Sequence, residues 1–126
     1  MHLVSITENQ SVEKRLAITP EISKKYIGLG FKVSLPINYG LHLGFSDEDY
    51  KNTGVNFEEN EQKIIDDADI IVQLGLPSEE KLSSLKENQT LIGSLNAFAN
   101  KEIFETLKKK KINCFSLELL PRITRA

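Results

Sequence analysis

The sequence predicts an α/β domain built on a doubly wound, mostly parallel sheet. Apolar, strand-like runs alternate along the chain with segments that begin at helix-capping residues, and this alternation is typical of parallel sheets with helices on both faces. The connecting segments are short, and no internal repeat or low-complexity tract interrupts the order. With 126 residues, residues 1–126 are expected to form one domain of ordinary size.

The first half of the chain starts with the strand-like run Leu3–Ile6, and a capped helix follows it. Thr19 suits the N-cap, Pro20 suits the first helical position, and Gly28 and Gly30 indicate where the helix ends. The next predicted elements are a half-buried strand over Phe31–Leu35, a loop over 36–44, a short helix capped by Ser46, a strand over Val55–Phe57 and a helix over Asn60–Asp67.

The second half contains the most continuous apolar run, Ala68–Leu74. Such a run is typical of a central parallel strand, because both faces of that strand are buried. The elements expected after it are a helix capped at Ser78, a strand over Thr90–Leu95, a long helix from Asn100 to about Lys110 and a last strand over Lys111–Leu117. The chain therefore has five or six strands, with right-handed crossovers.

Composition excludes several classes of function. A net charge of −2 argues against a nucleic-acid partner, and the basic block Lys108–Lys111 is interpreted as the solvated end of a helix. The single Cys114 cannot form an internal disulfide and is expected to be a small buried hydrophobic residue. The histidines, His2 at a surface terminus and His42 in a loop, form no cluster at metal-ligand spacing, so no metal site is expected.

The chain is expected to be cytoplasmic in character, because its sequence shows neither a signal-peptide pattern nor an apolar stretch near the ~20 residues that span a membrane. It also lacks the glycine-rich loop with which a dinucleotide-binding domain holds a pyrophosphate. The glycine pair Gly28 and Gly30 ends a helix instead of opening one. The expected fold is thus a Rossmann-like sheet that is not a complete nucleotide-binding domain.

The first loop offers a candidate site residue. Ligands bind to such sheets at the carboxyl ends of the strands, and Arg15 lies in the loop between the first strand and the first helix. Its planar guanidinium could clamp the carboxylate of a substrate. Alternatively, Arg15 packs its stem on the surface and pairs with Glu8 or Glu13. The residues alone leave both interpretations open.

At this loop the chain resembles a known family. Glu13–Pro20 is similar to the opening loop shared by alanine dehydrogenases and the alpha subunit of proton-pumping NAD(P) transhydrogenase. Further similar blocks, in order, are Gly28–Val33, the Gly40 loop with Phe45–Asp47, and Ala68–Val72 with Pro77 behind it. The most specific block is Glu118–Ala126, which resembles the subunit's Pro-Arg-Ile-Ser-Arg-Ala signature with Thr124 in place of serine.

The resemblance covers the whole chain but only the first of the two α/β domains of that subunit. It implies NAD as cofactor, with NADP on a partner subunit, and it assigns Arg122, together with Ile123 and Thr124, to the contact with NAD near its nicotinamide. No catalytic residue is expected within the chain. The expected partners are NADH or NAD⁺, the remaining NAD-binding domain, the membrane and NADP-binding subunits, and a second copy of the subunit. The protein would then lie peripherally on the inner membrane, and the 126-residue chain alone would be inactive.

Two departures separate the subfamilies. Alanine dehydrogenases are expected to carry a lysine and a histidine where this chain has Gly75 and Asn96. Neither residue can act as a general acid at neutral pH, so amino-acid dehydrogenation is disfavoured. Hydride transfer between two nicotinamides needs no such acid, since the cofactors carry the chemistry. The alternatives are an alanine or saccharopine dehydrogenase relative with an altered site, and a non-catalytic α/β interaction module.

Overall fold

The computed structural model describes residues 1–7, 15–75, 77, 79–93 and 101–116. These residues form one sheet of six parallel strands in the order β3-β2-β1-β4-β5-β6. The strands are β1 (His2–Val4), β2 (Lys32–Pro36), β3 (Asn56–Glu58), β4 (Ile70–Gln73), β5 (Thr90–Gly93) and β6 (Asn113–Ser116). The α-helices are α1 (Pro20–Gly28), α2 (Asp47–Lys51), α3 (Glu61–Asp66), α4 (Glu79–Ser83) and α5 (Lys101–Lys109). The doubly wound parallel fold predicted from the sequence is confirmed.

The sheet has a separate apolar core on each face. Neighbouring residues of a strand point to opposite faces, and accordingly Leu3 belongs to one core and Val4 to the other. Side chains of α3, α4 and α5 pack with Val4, whereas those of α1 and α2 pack with Leu3. The helices therefore form two layers around the sheet, and the strands in its centre are covered on both faces.

The local signals placed the helix ends correctly. The Thr19 hydroxyl accepts a hydrogen bond from the Ile22 amide at 3.3 Å at the start of α1. At α2, Ser46 and Asp49 form a reciprocal capping box: Asp49 N donates to Ser46 Oγ at 3.3 Å, and Ser46 N donates to Asp49 Oδ2 at 2.9 Å. The predicted caps Ser78 and Asn100 lie outside the described residues.

Three expectations about burial were wrong. The strand expected to be half-buried has Val33, Ser34, Leu35 and Pro36 all buried, because β2 lies between β1 and β3 with side chains packed on both of its faces. Cys114 is half-buried instead of buried, since β6 borders the sheet within the described residues. Burial still raises the pKa of its thiol above the ordinary value, which disfavours the reactive thiolate.

His2 is a structural residue and not a free surface terminus, which corrects the third expectation. Its Nδ1 lies 3.0 Å from the carbonyl oxygen of Asp67, so this nitrogen carries the proton and donates it. Its Nε2 lies 2.6 Å from Ser34 Oγ and accepts that hydroxyl's proton. Burial, and then the neighbouring charge of Lys32, lower the pKa of the imidazole below its ordinary value. The ring thus joins β1, β2 and the end of α3 in its neutral form.

Candidate functional site

The strand order of the sheet reverses at β1. The chain passes from β1 to β2 and β3 on one side, and then returns across the sheet to β4, which pairs with the other side of β1. Open α/β sheets bind ligands at such a reversal, outside the carboxyl ends of the two strands. The candidate site is therefore the edge where β1 ends at Val4 and β4 ends at Gln73.

Gln73 joins the two strand ends with its side chain. The backbone ladder pairs Leu3 with Ile70 and Val4 with Ile71, so the extended register places Ile6 opposite Gln73. There the side-chain amide of Gln73 forms hydrogen bonds with both backbone polar groups of Ile6. Oε1 accepts from Ile6 N at 2.7 Å, and Nε2 donates to Ile6 O at 3.2 Å. Gln73 is 2% exposed, so these bonds replace solvent in a buried position.

A chain of buried hydrogen bonds leads away from Gln73. Ser5 Oγ donates to Gln73 Oε1 at 2.8 Å. Because this bond uses the single proton of the Ser5 hydroxyl, the bond of 2.9 Å between Ser5 Oγ and Tyr39 Oη is donated by Tyr39. Tyr39 Oη in turn accepts from the backbone amide of Ile18 at 3.3 Å. The donor direction is thus fixed from Ile18 through Tyr39 and Ser5 to Gln73.

A second tyrosine holds the other polar group of Ile18. Tyr50 Oη donates to the Ile18 carbonyl oxygen at 2.8 Å, and its ring meets that of Tyr39 edge to face at 6.0 Å. Both rings are at most 1% exposed. Burial, and then the neighbouring Tyr39, raise the pKa of the Tyr50 hydroxyl well above its ordinary value, so it remains a donor. Gly40 makes room for this ring, since a Cβ there would lie 2.7 Å from Tyr50 Oη.

Arg15 is exposed on the loop that this network anchors. Residues 15–19, here called the Arg15 loop, run into α1, and Ile18 is fully buried within them. Leu16 and Ala17 are partly buried against the same core. Arg15 thus lies three residues before Ile18, which Tyr39 and Ser5 connect to Gln73 at the end of β4. Its role as a site residue stays a prediction. Glu8 and Glu13 lie outside the described residues, so their pairing with Arg15 stays untested.

The other site residues predicted from the sequence lie elsewhere. Arg122, Ile123 and Thr124 are outside the described residues, as is Asn96. Gly75 is described, and it lies two residues after the end of β4 at the candidate site. Without a side chain, it brings no ammonium group to this edge.

The described residues do not fit the pyrophosphate of a dinucleotide. In a dinucleotide-binding unit, free N–H groups at the start of the first crossover helix point at the phosphates. Here that helix is α1, whose first residue, Pro20, has no N–H, while the Ile22 amide is already bonded to the Thr19 side chain. The described part of the chain can therefore offer one side of a cleft, but no cradle for the phosphates.

Three grooves in the described part of the chain lie away from this edge, and the largest of the three, about 330 Å³, is lined by residues of α5 and β6. Another of about 290 Å³ lies between α4 and α5, near their last turns at Leu82 and Leu107. The third, of about 270 Å³, lies at the start of the strands, beside His2 and Lys32. Among the residues described, no three His, Cys, Asp or Glu side chains gather as they would around a metal ion. The described helices are also too short or too polar to cross a membrane.

The buried network was missed at the sequence level. Its signals were polar residues inside apolar runs: Ser5 in the first strand-like segment and Gln73 at the end of the most apolar one. Both are 2% exposed or less. A buried polar side chain needs hydrogen-bond partners, so these positions implied a network, although the sequence did not show that Tyr39 completes it.

Comparison with known proteins identifies the family. Residues 5–126 match the family described as alanine dehydrogenase/PNT, N-terminal domain. An alpha-subunit polypeptide of the NAD(P) transhydrogenase of Rickettsia prowazekii is 35% identical over 130 residues, an alignment that covers 100% of this chain and 34% of that protein. The alanine dehydrogenase of Halomonas elongata is 29% identical, covering 90% of this chain and 30% of that protein.

Solved structures agree with this assignment. The transhydrogenase from Sinorhizobium meliloti superimposes with a TM-score of 0.86 at 27% identity, covering 97% of this chain and 37% of that one. An L-alanine dehydrogenase gives a TM-score of 0.84 at 20% identity, covering 92% of this chain and 32% of that one, which shows the shared fold. The chain thus spans about a third of the length of each of these four relatives. It belongs to the alanine dehydrogenase/PNT N-terminal domain family.

Proposed function

We propose that this chain is the first α/β domain of the NAD(H)-binding alpha subunit of a proton-translocating NAD(P) transhydrogenase. The observation that carries the proposal is the alignment of the entire chain with an alpha-subunit polypeptide of an NAD(P) transhydrogenase. The parent enzyme would transfer a hydride between NADH and NADP⁺, coupled to proton movement across a membrane. Within it, this domain would form one wall of the cleft that receives NAD(H).

The geometry at the carboxyl ends of β1 and β4 supports a domain that forms one wall of an NAD(H) cleft, and not a domain that holds the complete NAD(H) site. The side-chain amide of Gln73, at the end of β4, is hydrogen-bonded to the backbone of Ile6 just after β1. The start of α1 has Pro20, which has no N–H, and Thr19, whose side chain caps the helix. The cradle for the pyrophosphate must then come from another region of the subunit, and this chain spans only 34% of the aligned relative. Alone, the 126 residues are expected to be inactive and to bind NAD(H) weakly or not at all.

The proposed contacts are made by arginines on two loops. Arg122, with Ile123 and Thr124 beside it, would lie at the nicotinamide end of NAD(H), where a guanidinium can orient a carboxamide or a phosphate. Arg15, which is exposed, would contact an anionic group of the bound ligand. Bound nicotinamides supply the hydride chemistry, and these side chains only bind and orient them.

The proposed assembly follows from the same relationship. The partners would be the remaining NAD-binding domain of the subunit, the membrane and NADP-binding subunits, and a second copy of the alpha subunit in a homodimer. The domain would lie on the cytoplasmic side and reach the inner membrane through those partners. No nucleic-acid partner is proposed, in line with the net charge of −2.

An assay of the full-length subunit distinguishes this function from alanine dehydrogenation. Combined with its NADP-binding partner, the subunit should reduce NADP⁺ with NADH, and it should not oxidise NADH in the presence of pyruvate and ammonia. The reason is that Gly75 supplies no ammonium group to pair with a keto acid. Oxidation of NADH that depends on pyruvate and ammonia would instead favour the dehydrogenase, and a subunit with neither activity would favour the non-catalytic module.

A further inference from the structure

We propose that Tyr39 is a positioning residue that sets the Arg15 loop, and through it Arg15, against the carboxyl ends of β1 and β4. The proposal rests on the proposed function, because it assumes that Arg15 contacts the bound ligand. It concerns a residue of the second connecting loop, which lies 24 positions after Arg15 in the chain.

Two tyrosine hydroxyls are hydrogen-bonded to the Arg15 loop, both at Ile18. Tyr39 accepts from Ile18 N at 3.3 Å, and Tyr50 donates to Ile18 O at 2.8 Å. Ile18 has no exposed surface, so solvent cannot replace either bond. Arg15 is three residues away, and the intervening Leu16 and Ala17 are partly buried. The backbone of Arg15 is therefore tethered close to the fixed amide of Ile18.

The hydrogen bonds of Tyr39 also connect Ile18 to the central strands of the sheet. Tyr39 donates its hydroxyl proton to Ser5, which follows β1, and Ser5 donates its own to Gln73 on β4. The hydrogen-bonded series Ile18, Tyr39, Ser5 and Gln73 is here called the relay, and each of its residues is at least 98% buried. A displacement of the Arg15 loop would therefore leave buried polar groups without partners, which costs more than the bonds themselves contribute. The relay links the position of Arg15 to the two strands between which a ligand would bind.

Removal of one hydroxyl tests this link without removing the ring. In Tyr39→Phe, Ile18 N loses its acceptor, and Ser5 Oγ loses the proton donated by Tyr39 while keeping its own bond to Gln73 Oε1. The Arg15 loop is expected to shift until another acceptor reaches the Ile18 amide. Since a misplacement of about 1 Å can cost up to ~100-fold in a positioned site, we expect NADH binding by the full-length subunit to weaken about tenfold.

A double-mutant cycle separates positioning from a general loss of stability. NADH dissociation constants are measured for the full-length subunit carrying Tyr39→Phe, Arg15→Ala or both substitutions, with Tyr26→Phe as the control. Tyr26 is a half-buried ring that packs edge to face on Phe31 and has no part in the relay. If Tyr39 acts through Arg15, its roughly tenfold effect disappears in the Arg15→Ala background, and the two effects are not multiplicative. Tyr26→Phe should leave the binding of NADH unchanged.

Amide hydrogen exchange provides a readout that does not depend on the ligand. Exchange at the Ile18 amide should accelerate in Tyr39→Phe and stay unchanged in Tyr26→Phe. Three results would each overturn the positioning role of Tyr39. The first is that the effects of Tyr39→Phe and Arg15→Ala on NADH affinity multiply independently. The others are a normal affinity of Arg15→Ala and an unchanged exchange rate at the Ile18 amide. Failure of the unsubstituted subunit to bind NADH would contradict the proposed function instead.

Discussion

The side-chain amide of Gln73 pairs with the backbone of Ile6, accepting from its N–H at 2.7 Å and donating to its carbonyl at 3.2 Å. This pairing extends the contact between β1 and β4 by two residues beyond the last backbone pair, Val4 with Ile71. It joins residues 67 positions apart at the reversal of the strand order. The edge at which a ligand would enter is thereby held rigid by an uncharged group.

Replacement of Gln73 should destabilise the domain strongly. Gln73→Leu keeps an apolar stem of similar size but leaves Ser5 Oγ and Ile6 N without their acceptor in a buried position. We expect a loss of about 2–4 kcal/mol in the free energy of unfolding, measured by urea denaturation. The exposed Gln62, whose side chain donates to Asp66 at 2.9 Å across one helical turn, is the matched control. Gln62→Leu should change stability by no more than about 0.5 kcal/mol, and equal effects at the two positions would contradict the account.

Two glycine substitutions should have opposite effects. Alanine at Gly40 would place its Cβ 2.7 Å from Tyr50 Oη and 3.0 Å from Phe45 Cβ, although the backbone φ of −107° is ordinary. Gly40→Ala is therefore expected to cost about 1–3 kcal/mol through overpacking. At Gly28, the last residue of α1, no atom lies within 4 Å of an added Cβ. Gly28→Ala should be neutral or stabilise by up to ~1 kcal/mol, as thermal unfolding of the two variants would show.

Stability should fall in mildly acid solution because of His2. The folded state lowers the pKa of this imidazole, so the unfolded chain binds more protons once the pH falls to about 6.5 and below. The groups that face the ring are Lys32, which opposes its protonation, and Asp67 and Asp69, which favour it. His2→Gln should flatten the decline in melting temperature between about pH 7.5 and 5. A decline as steep as in the unsubstituted protein would show that His2 is not its source.

Arg122 should be needed for tight binding of NADH by the full-length subunit. A charge-assisted hydrogen bond from its guanidinium is worth about 1.5–3 kcal/mol, so Arg122→Ala should weaken binding by about tenfold or more. Arg125, three positions later in the same signature, is the matched control because the resemblance assigns the contact with the nicotinamide end to Arg122 and not to Arg125. Arg125→Ala should leave the dissociation constant near its original value in a fluorescence titration. An equal loss at both positions would remove the specific role from Arg122.

The sequence predicted what depends on neighbouring residues. The ends of α1 and α2 follow from Thr19 and from the capping box of Ser46 with Asp49, all of which act within one helical turn. The apolar run before Gln73 predicted a central strand for the same reason. These signals sufficed for the element order and hence for the class of sheet.

The sequence could not predict what depends on residues far apart in the chain. The bond between Ser5 and Tyr39 spans 34 positions and that between Ile6 and Gln73 spans 67, so neither pairing has a local signature. The burial of both faces of β2 likewise depends on which strands become its neighbours. Arg15 was recognisable as a candidate from its loop, but the residues that hold this loop appear only in the folded chain.

A calorimetric titration with NADH tests the central claim, that this domain is one wall of an NAD(H) cleft completed by the rest of the subunit. The full-length subunit and the 126-residue chain are titrated under the same conditions, after circular dichroism has confirmed that the chain is folded. Binding by the full-length subunit, with weak or no detectable binding by the folded 126-residue chain, is the predicted result. Equally tight binding of NADH by the chain alone would contradict it.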